Sequence, residues 1–406
     1  MSTNLIKRES GYAWVMVALG ALFIAVSNGS INTIAIFMAP VTHEMGWLRG
    51  EASLAYTFAT ISFGLNSILA GHLSDRFGPR PLVLVGAVAV GTSLFMMGRV
   101  TGLWEYYLLQ LVFGGFGCAA IQIPLLSTVT NWFRYSPGTA VGLMNVGRTI
   151  GNGFVPFFAG AMVASYDWRQ AYAILGVSAL VILLPLVLLV RRAPNLKSDA
   201  ETIAAAAAKF LPTGKVMSWI GSAAIFCCIA HAIPLLHVVS MARDKGIAPQ
   251  QAASILTVWM IFGLVGAVLA GRMGDKIGMA RVYLIGSIFQ TVMVIWFLFA
   301  ESYGGFLVIA ALFGMGFGGV MTGLIASSQV LVRPDHRGFS GGIGSACGWS
   351  GMGVGGFLGG LLFDIAGDYT LAFMVATAAG LVNVTLLIFF QGAYKRGVEG
   401  IAEQSA

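Results

Sequence analysis

The chain has 406 residues, 57% of them hydrophobic and 10% charged, with a formal net charge of +7 and a mean hydropathy of +0.85. Soluble domains carry about 25% charged residues, so this composition excludes a chain whose surface is held in water. The basic residues sit in short loops between apolar segments, with no basic patch interleaved with aromatics, which excludes a nucleic-acid binder.

A membrane-crossing helix needs about 20 predominantly apolar residues. Twelve such segments follow one another, at 12–39, 52–72, 81–99, 105–129, 138–163, 171–190, 216–239, 251–271, 281–300, 304–330, 338–363 and 370–391. The chain therefore reads as an all-α membrane protein. Lys7 and Arg8 precede the first segment, which is too long for a signal-peptide core and lacks a small-residue cleavage site, so it reads as a retained span. Six spans lie before the longest polar segment and six after it, which divides the chain into a bundle at 1–190, a linker at 191–215 and a second bundle at 216–406. Within the linker, Ser198 and Glu201 have capping-box spacing ahead of alanines running to Ala208, predicting a short surface helix. Of the 23 basic residues, 17 fall on the side of the termini and five (Arg49, Arg99, Arg169, Arg243 and Lys245) on the other. That bias places both termini in the cytoplasm. The remaining one, Arg148, belongs to neither side. Cys118, Cys227, Cys228 and Cys347 all fall inside apolar segments with neither metal-ligand nor disulfide spacing, and read as packing residues.

The halves repeat each other at an offset of 200 residues. Gly71-His-Leu-Ser-Asp75-Arg76-Phe-Gly78-Pro-Arg80 recurs as Gly271-Arg-Met-Gly-Asp275-Lys276-Ile-Gly278-Met-Ala280. Gly138, Gly142, Gly151 and Gly153 of span five return as Gly338, Gly342, Gly351 and Gly353 of span eleven, and Phe113-Gly114 returns as Phe313-Gly314. Glycines at this spacing let helix backbones approach closely.

The repeated turn Gly-x-x-x-Asp-Arg/Lys-x-Gly, between spans two and three and again between eight and nine, resembles the signature loop of the major facilitator superfamily. Span count, halves and linker extend the resemblance over the whole chain. It implies the major facilitator fold, with two pseudo-symmetric six-helix bundles around a central cavity lined by spans one, four, seven and ten. It also implies that Asp75 and Asp275, with Arg76, Arg80 and Lys276, help lock one conformational state. Glu9-Ser-Gly11-Tyr-Ala-Trp14 and Trp132-Phe133-Arg134, followed by spaced glycines, resemble the monocarboxylate porter and oxalate–formate antiporter branch. Many members of that branch carry an acidic residue and an arginine in span eight; here Ile261 to Ala270 contains no charge.

Arg148 lies ten residues past Gly138, about 15 Å into the membrane, where a charge is costly and marks an ion or substrate path. None of the 16 acidic residues falls in the middle of a span. A substrate carboxylate would supply the missing anion with bidentate geometry; backbone carbonyls holding span five to a neighbour are the alternative. Asn145 and Asn152 share the Arg148 face of span five. His231 of span seven is placed to carry a proton, or is a neutral hydrogen-bonding residue; His237 is a weaker candidate. Asn28, Gln122 and Trp349 complete the expected substrate site, with Ser27, Asn32, Phe154 and Ser327 to Gln329 as further lining residues. Pro124, Pro156 and Pro234 are expected to kink their helices. The expected activity is secondary transport of a small organic anion, mono- or dicarboxylate, by proton symport, with anion exchange or efflux of lipophilic compounds as alternatives. No enzyme motif, cofactor or metal set is found. The expected partners are the anion, a proton or counter-anion and the bilayer of the cytoplasmic membrane, with the chain a monomer.

Overall fold

A computed structural model of the chain describes residues 10–133, 137–193, 211–332 and 337–404, which are helical apart from short turns. Span one comprises α1 (Gly11–Asn32) and α2 (Ile34–Met45). They part at Thr33, whose hydroxyl bonds back to the Ser30 carbonyl at 2.7 Å and so competes with the helical ladder. Spans two and three are α3 (Arg49–Phe77) and α4 (Pro79–Met97). Span four runs from α5 (Leu103–Val112) through a π-helical stretch (Phe113–Ala119) into α6 (Ala120–Trp132). Spans five and six are α7 (Pro137–Ser165) and α8 (Trp168–Val187). The second bundle follows with α9 (Thr213–Asp244), α10 (Pro249–Ile277) and α11 (Met279–Val294), the last extended by a 3₁₀ turn. It ends with α12 (Tyr303–Val330), α13 (Arg337–Ala366) and α14 (Thr370–Gln404). The linker helix expected at Ser198–Ala208 lies outside the described residues. Pro124, Pro156 and Pro234 sit inside helices that continue past them.

Eleven of these segments are long and apolar enough to cross a bilayer; α7, carrying Arg148, is the twelfth helix of the bundle. The periphery is apolar, with Ile68, Val181 and Phe389 each more than 60% exposed. Such a surface is stable only against hydrocarbon.

The sequence repeat is a backbone repeat. Spans two and eight end at Gly78 and Gly278 with φ of 85° and 87° and extended ψ, a region that is essentially glycine-only and costs an L-residue about 1–3 kcal/mol. This is the physical reason for the last glycine of the repeated turn. Inside each bundle the same contact recurs: a Cβ on Gly151 would collide with Ala25 of span one, and one on Gly351 with Ile225 of span seven. Between the bundles the pairing crosses over. Span two meets span eleven, with the Thr57 hydroxyl donating to the Gly353 carbonyl at 2.7 Å. Span eight meets span five, with the Thr257 hydroxyl donating to the Gly153 carbonyl at 2.9 Å. Positions 57 and 257, and 153 and 353, are equivalent in the repeat, so the bundles face each other across a pseudo-two-fold axis.

Candidate functional site

The contacts of α7 fix where its polar stripe points. Gly147 and Gly151 press on span one, while Gly153 and Gly160 press on span eight. At 100° per residue, Asn145, Arg148 and Asn152 fall within about 60° of arc between those two faces, toward the seam of the bundles. Arg148 and Asn152 are half-buried. Asn152 has a buried side-chain oxygen without a hydrogen-bond partner. Among the described residues, no hydrogen bond or ion pair is made by the Arg148 side chain.

The Asn28 amide, itself buried, donates to the Gln122 side chain at 2.8 Å, linking span one to span four. Trp349 is half-buried and its ring lies 4.5 Å from that of Phe63, across the interface between the bundles. Position 349 is equivalent to 149, so this contact stands at the depth of Arg148. His231 sits elsewhere: it is 1% exposed, edge-on to Phe317 at 5.1 Å, with its Nδ1 unpartnered. Ser327 and Ser328 are buried, and the Ser328 hydroxyl bonds to the Ile325 carbonyl within its own helix. The side chains of Asp75, Asp275 and Gln329 lie outside the described residues, while Arg76, Arg80 and Lys276 are exposed at the bundle end.

The opposite end is closed by residues that, His237 apart, the sequence alone did not single out as functional. Arg49, the first residue of span two, holds Asp244, the last of span seven, through two hydrogen bonds of 2.6 Å. The same guanidinium donates to the Tyr369 hydroxyl at 2.7 Å and lies 4.0 Å above the Phe363 ring. Asp364 caps span two from the other bundle, accepting from the backbone N–H of Arg49 at 3.0 Å and of Gly50 at 2.5 Å. Four orphan N–H groups head any helix, and a carboxylate there also meets the positive end of the dipole. Tyr369 continues the network to His237, whose Nε2 meets the Gly356 carbonyl at 2.9 Å. Burial raises the Tyr369 phenol above its ordinary range despite the nearby arginine, so the hydroxyl keeps its proton. A signal did exist in the sequence: Asp364 is acidic where its repeat counterpart is Ala164. Every hydrogen bond or ion pair found between the bundles among the described residues lies between this network and the two threonine contacts. The seam is thus shut at the Arg49 end, and Arg148 lies just past the closure.

The Major Facilitator Superfamily description matches residues 17–232 and 218–404. Monocarboxylate transporter 13 of Bos taurus is 28% identical over 397 residues, covering 94% of this chain and 89% of its own. The agnestins efflux protein AgnL12 of Paecilomyces divaricatus is 24% identical over 322 residues, covering 76% and 71%. Among solved structures, an inward-facing, unoccupied bacterial homolog of the human lysosomal transporter Spinster superposes with a TM-score of 0.70 at 14% identity, covering 98% of this chain and 99% of that one. The matched span, the helical architecture and the internal repeat agree: the chain belongs to the Major Facilitator Superfamily and is a multi-pass membrane transporter, not an enzyme.

Proposed function

We propose that this transporter moves a small organic anion, a mono- or dicarboxylate, across the cytoplasmic membrane by alternating access coupled to a proton. The moving parts are the bundles at 1–190 and 216–406 joined by a cytoplasmic linker at 191–215, with both termini cytoplasmic and the Arg49 end outside. One observation carries this reading. The Arg148 guanidinium faces the seam of the bundles at its closed end with no acceptor among the described residues. A charge so placed needs a counter-anion, and a carboxylate fits its fork with two parallel hydrogen bonds. Asn145 and Asn152 orient the bound anion, the Asn28–Gln122 pair and Trp349 wall it, and the proton travels on the substrate's acid group or on His231. Asp75, Arg76, Arg80, Asp275 and Lys276 hold the cytoplasmic end when the site opens outward. The chain works as a monomer.

Anion exchange is the second reading, favoured because no carboxylate pairs with Arg148 among the described residues to carry a coupling proton. Efflux of a lipophilic compound draws on the Phe63–Trp349 aromatic wall and on the similarity to the agnestins efflux protein AgnL12. Uptake of labelled mono- and dicarboxylates into proteoliposomes separates the three. Symport gives accumulation under an inward proton gradient with empty vesicles; exchange gives uptake only into vesicles preloaded with anion. Absence of carboxylate flux under both regimes rules the anion reading out.

A further inference from the structure

Span seven contains a second cluster of chemically capable side chains, separate from Arg148. The Sγ atoms of Cys227 and Cys228 and a ring nitrogen of His231 all lie within 4.8 Å of one another, and all three residues are buried. Buried thiols alone are ordinary packing residues. The imidazole is not ordinary, because its Nδ1 is enclosed and makes no hydrogen bond, which costs about 1–3 kcal/mol for a neutral group. A polar wall stands against the cluster. The fully buried Tyr283 of span nine belongs to the same core cluster as Cys227 and Cys228. The Tyr283 hydroxyl accepts from the Asn383 amide at 3.3 Å, and that amide also donates to the Ala223 carbonyl at 2.8 Å.

The geometry points to a metal site in span seven that takes a divalent d¹⁰ ion of the zinc class, with Cys227, Cys228 and His231 as ligands and the Tyr283 hydroxyl beside the open fourth position. Two sulfurs and an imidazole nitrogen match the preference of such an ion, and hard cations that demand oxygen ligands find none in the cluster. Charge selects the oxidation state. When a divalent ion binds, each thiol loses one proton, and the two thiolates with a neutral imidazole leave the complex uncharged. A monovalent ion bound by the same two thiolates would leave a net negative charge in the bundle interior, where an unpaired charge is costly. The three ligands occupy positions i, i+1 and i+4 of one helix, so the site moves as a unit with span seven and does not depend on how the bundles stand. An imidazole bound to metal through one ring nitrogen cannot take up a second proton there, so occupancy of this site and proton carriage by His231 exclude each other.

The test is a titration of the full-length, reduced protein in detergent with Co(II), a spectroscopic stand-in for Zn(II). The expected result is a thiolate-to-cobalt charge-transfer band that saturates at a single equivalent and is bleached by Zn(II). Cys227→Ser/Cys228→Ser abolishes the band, His231→Gln weakens binding at least tenfold, and Tyr283→Phe weakens it about 10–100-fold as an outer-sphere partner. Cys118→Ser leaves it unchanged. A wild-type spectrum with only oxygen and nitrogen ligation overturns the assignment, as does a band that survives in the double serine variant. Because the wild-type spectrum alone can overturn it, misfolding of a variant, checked by its elution and melting profile, does not shelter the idea. Transport plays no part in the readout, so failure here leaves the anion reading standing.

Discussion

Arg148 is a residue whose chemistry depends on shape as much as on charge. Lysine keeps the positive charge but offers a point donor in place of a planar fork. Arg148→Lys is therefore expected to weaken carboxylate binding about ten- to a hundredfold, the equivalent of losing a charged hydrogen bond worth about 1.5–3 kcal/mol. Ligand-induced thermal shift over a concentration series reads this directly, and an unchanged affinity would show that the fork does not hold the substrate. The sequence made this residue legible because a lone basic residue inside an apolar run stands out without any fold. The partnership of Asn28 with Gln122 was not legible, since the two are 94 residues apart and meet only through the packing of spans one and four. His231 was legible as a single residue, but not as one corner of a thiol cluster. Adjacent cysteines followed by a histidine form no familiar ligand spacing, and only the helical turn brings their donor atoms together.

At the scale of elements, the repeat fixed most of what could be read. The spans, the matching turns and the glycine pairs Gly151/Gly351 and Gly153/Gly353 have the physical causes expected of them, whereas Gly142 and Gly342 face open space and allow no close helix approach. The clearest case is the pair Gly78 and Gly278, which end equivalent helices in the same positive-φ extended conformation. Gly78→Ala and Gly278→Ala are each expected to destabilise the protein by about 1–3 kcal/mol, with similar losses in melting temperature at the two sites. A loss at one site and none at the other would mean that the turns are equivalent in backbone but not in load. The two halves depart from each other where span four adopts a π-helical stretch at Phe113–Ala119 while α12 stays α-helical throughout its equivalent. The repeated Phe-Gly pair gave no hint of this, because both copies are locally compatible with an α-helix. Ala59 faces Gly114 as Trp259 faces Gly314, so the difference does not arise from that contact.

For the whole molecule, the network at the Arg49 end joins two bundles through residues 195 and 315 positions apart. Pairings at such separations are set by topology, which is why composition and spacing could not announce them. Arg49→Ala removes the ion pair with Asp244, the bond to Tyr369 and the stacking on Phe363 in one step. It is expected to shift the population toward molecules open at that end by at least about tenfold, since even one lost charged hydrogen bond is worth about 1.5–3 kcal/mol and 1.4 kcal/mol is a factor of ten. Spin labels on either side of the seam would report a second, longer distance in the variant; a single wild-type distance would mean that the network does not hold the end shut. Asp364→Asn keeps the shape of the cap while removing its charge, and is expected to give the same shift in smaller degree.

The crossed threonine contacts constrain motion in a way that neither contact would alone. Two fixed points define one line, so any rigid rotation of one bundle that preserves both Thr57–Gly353 and Thr257–Gly153 must turn about the line through them, as a beam turns on paired trunnions. Along the helix axis Arg148 stands about 7.5 Å from Gly153, five residues away, and Ala140 about 20 Å, thirteen residues away, at 1.5 Å per residue, so Ala140 travels further for the same angle. The guanidinium thus rides near the fulcrum, where a bound molecule is disturbed least while the rims of the molecule travel furthest.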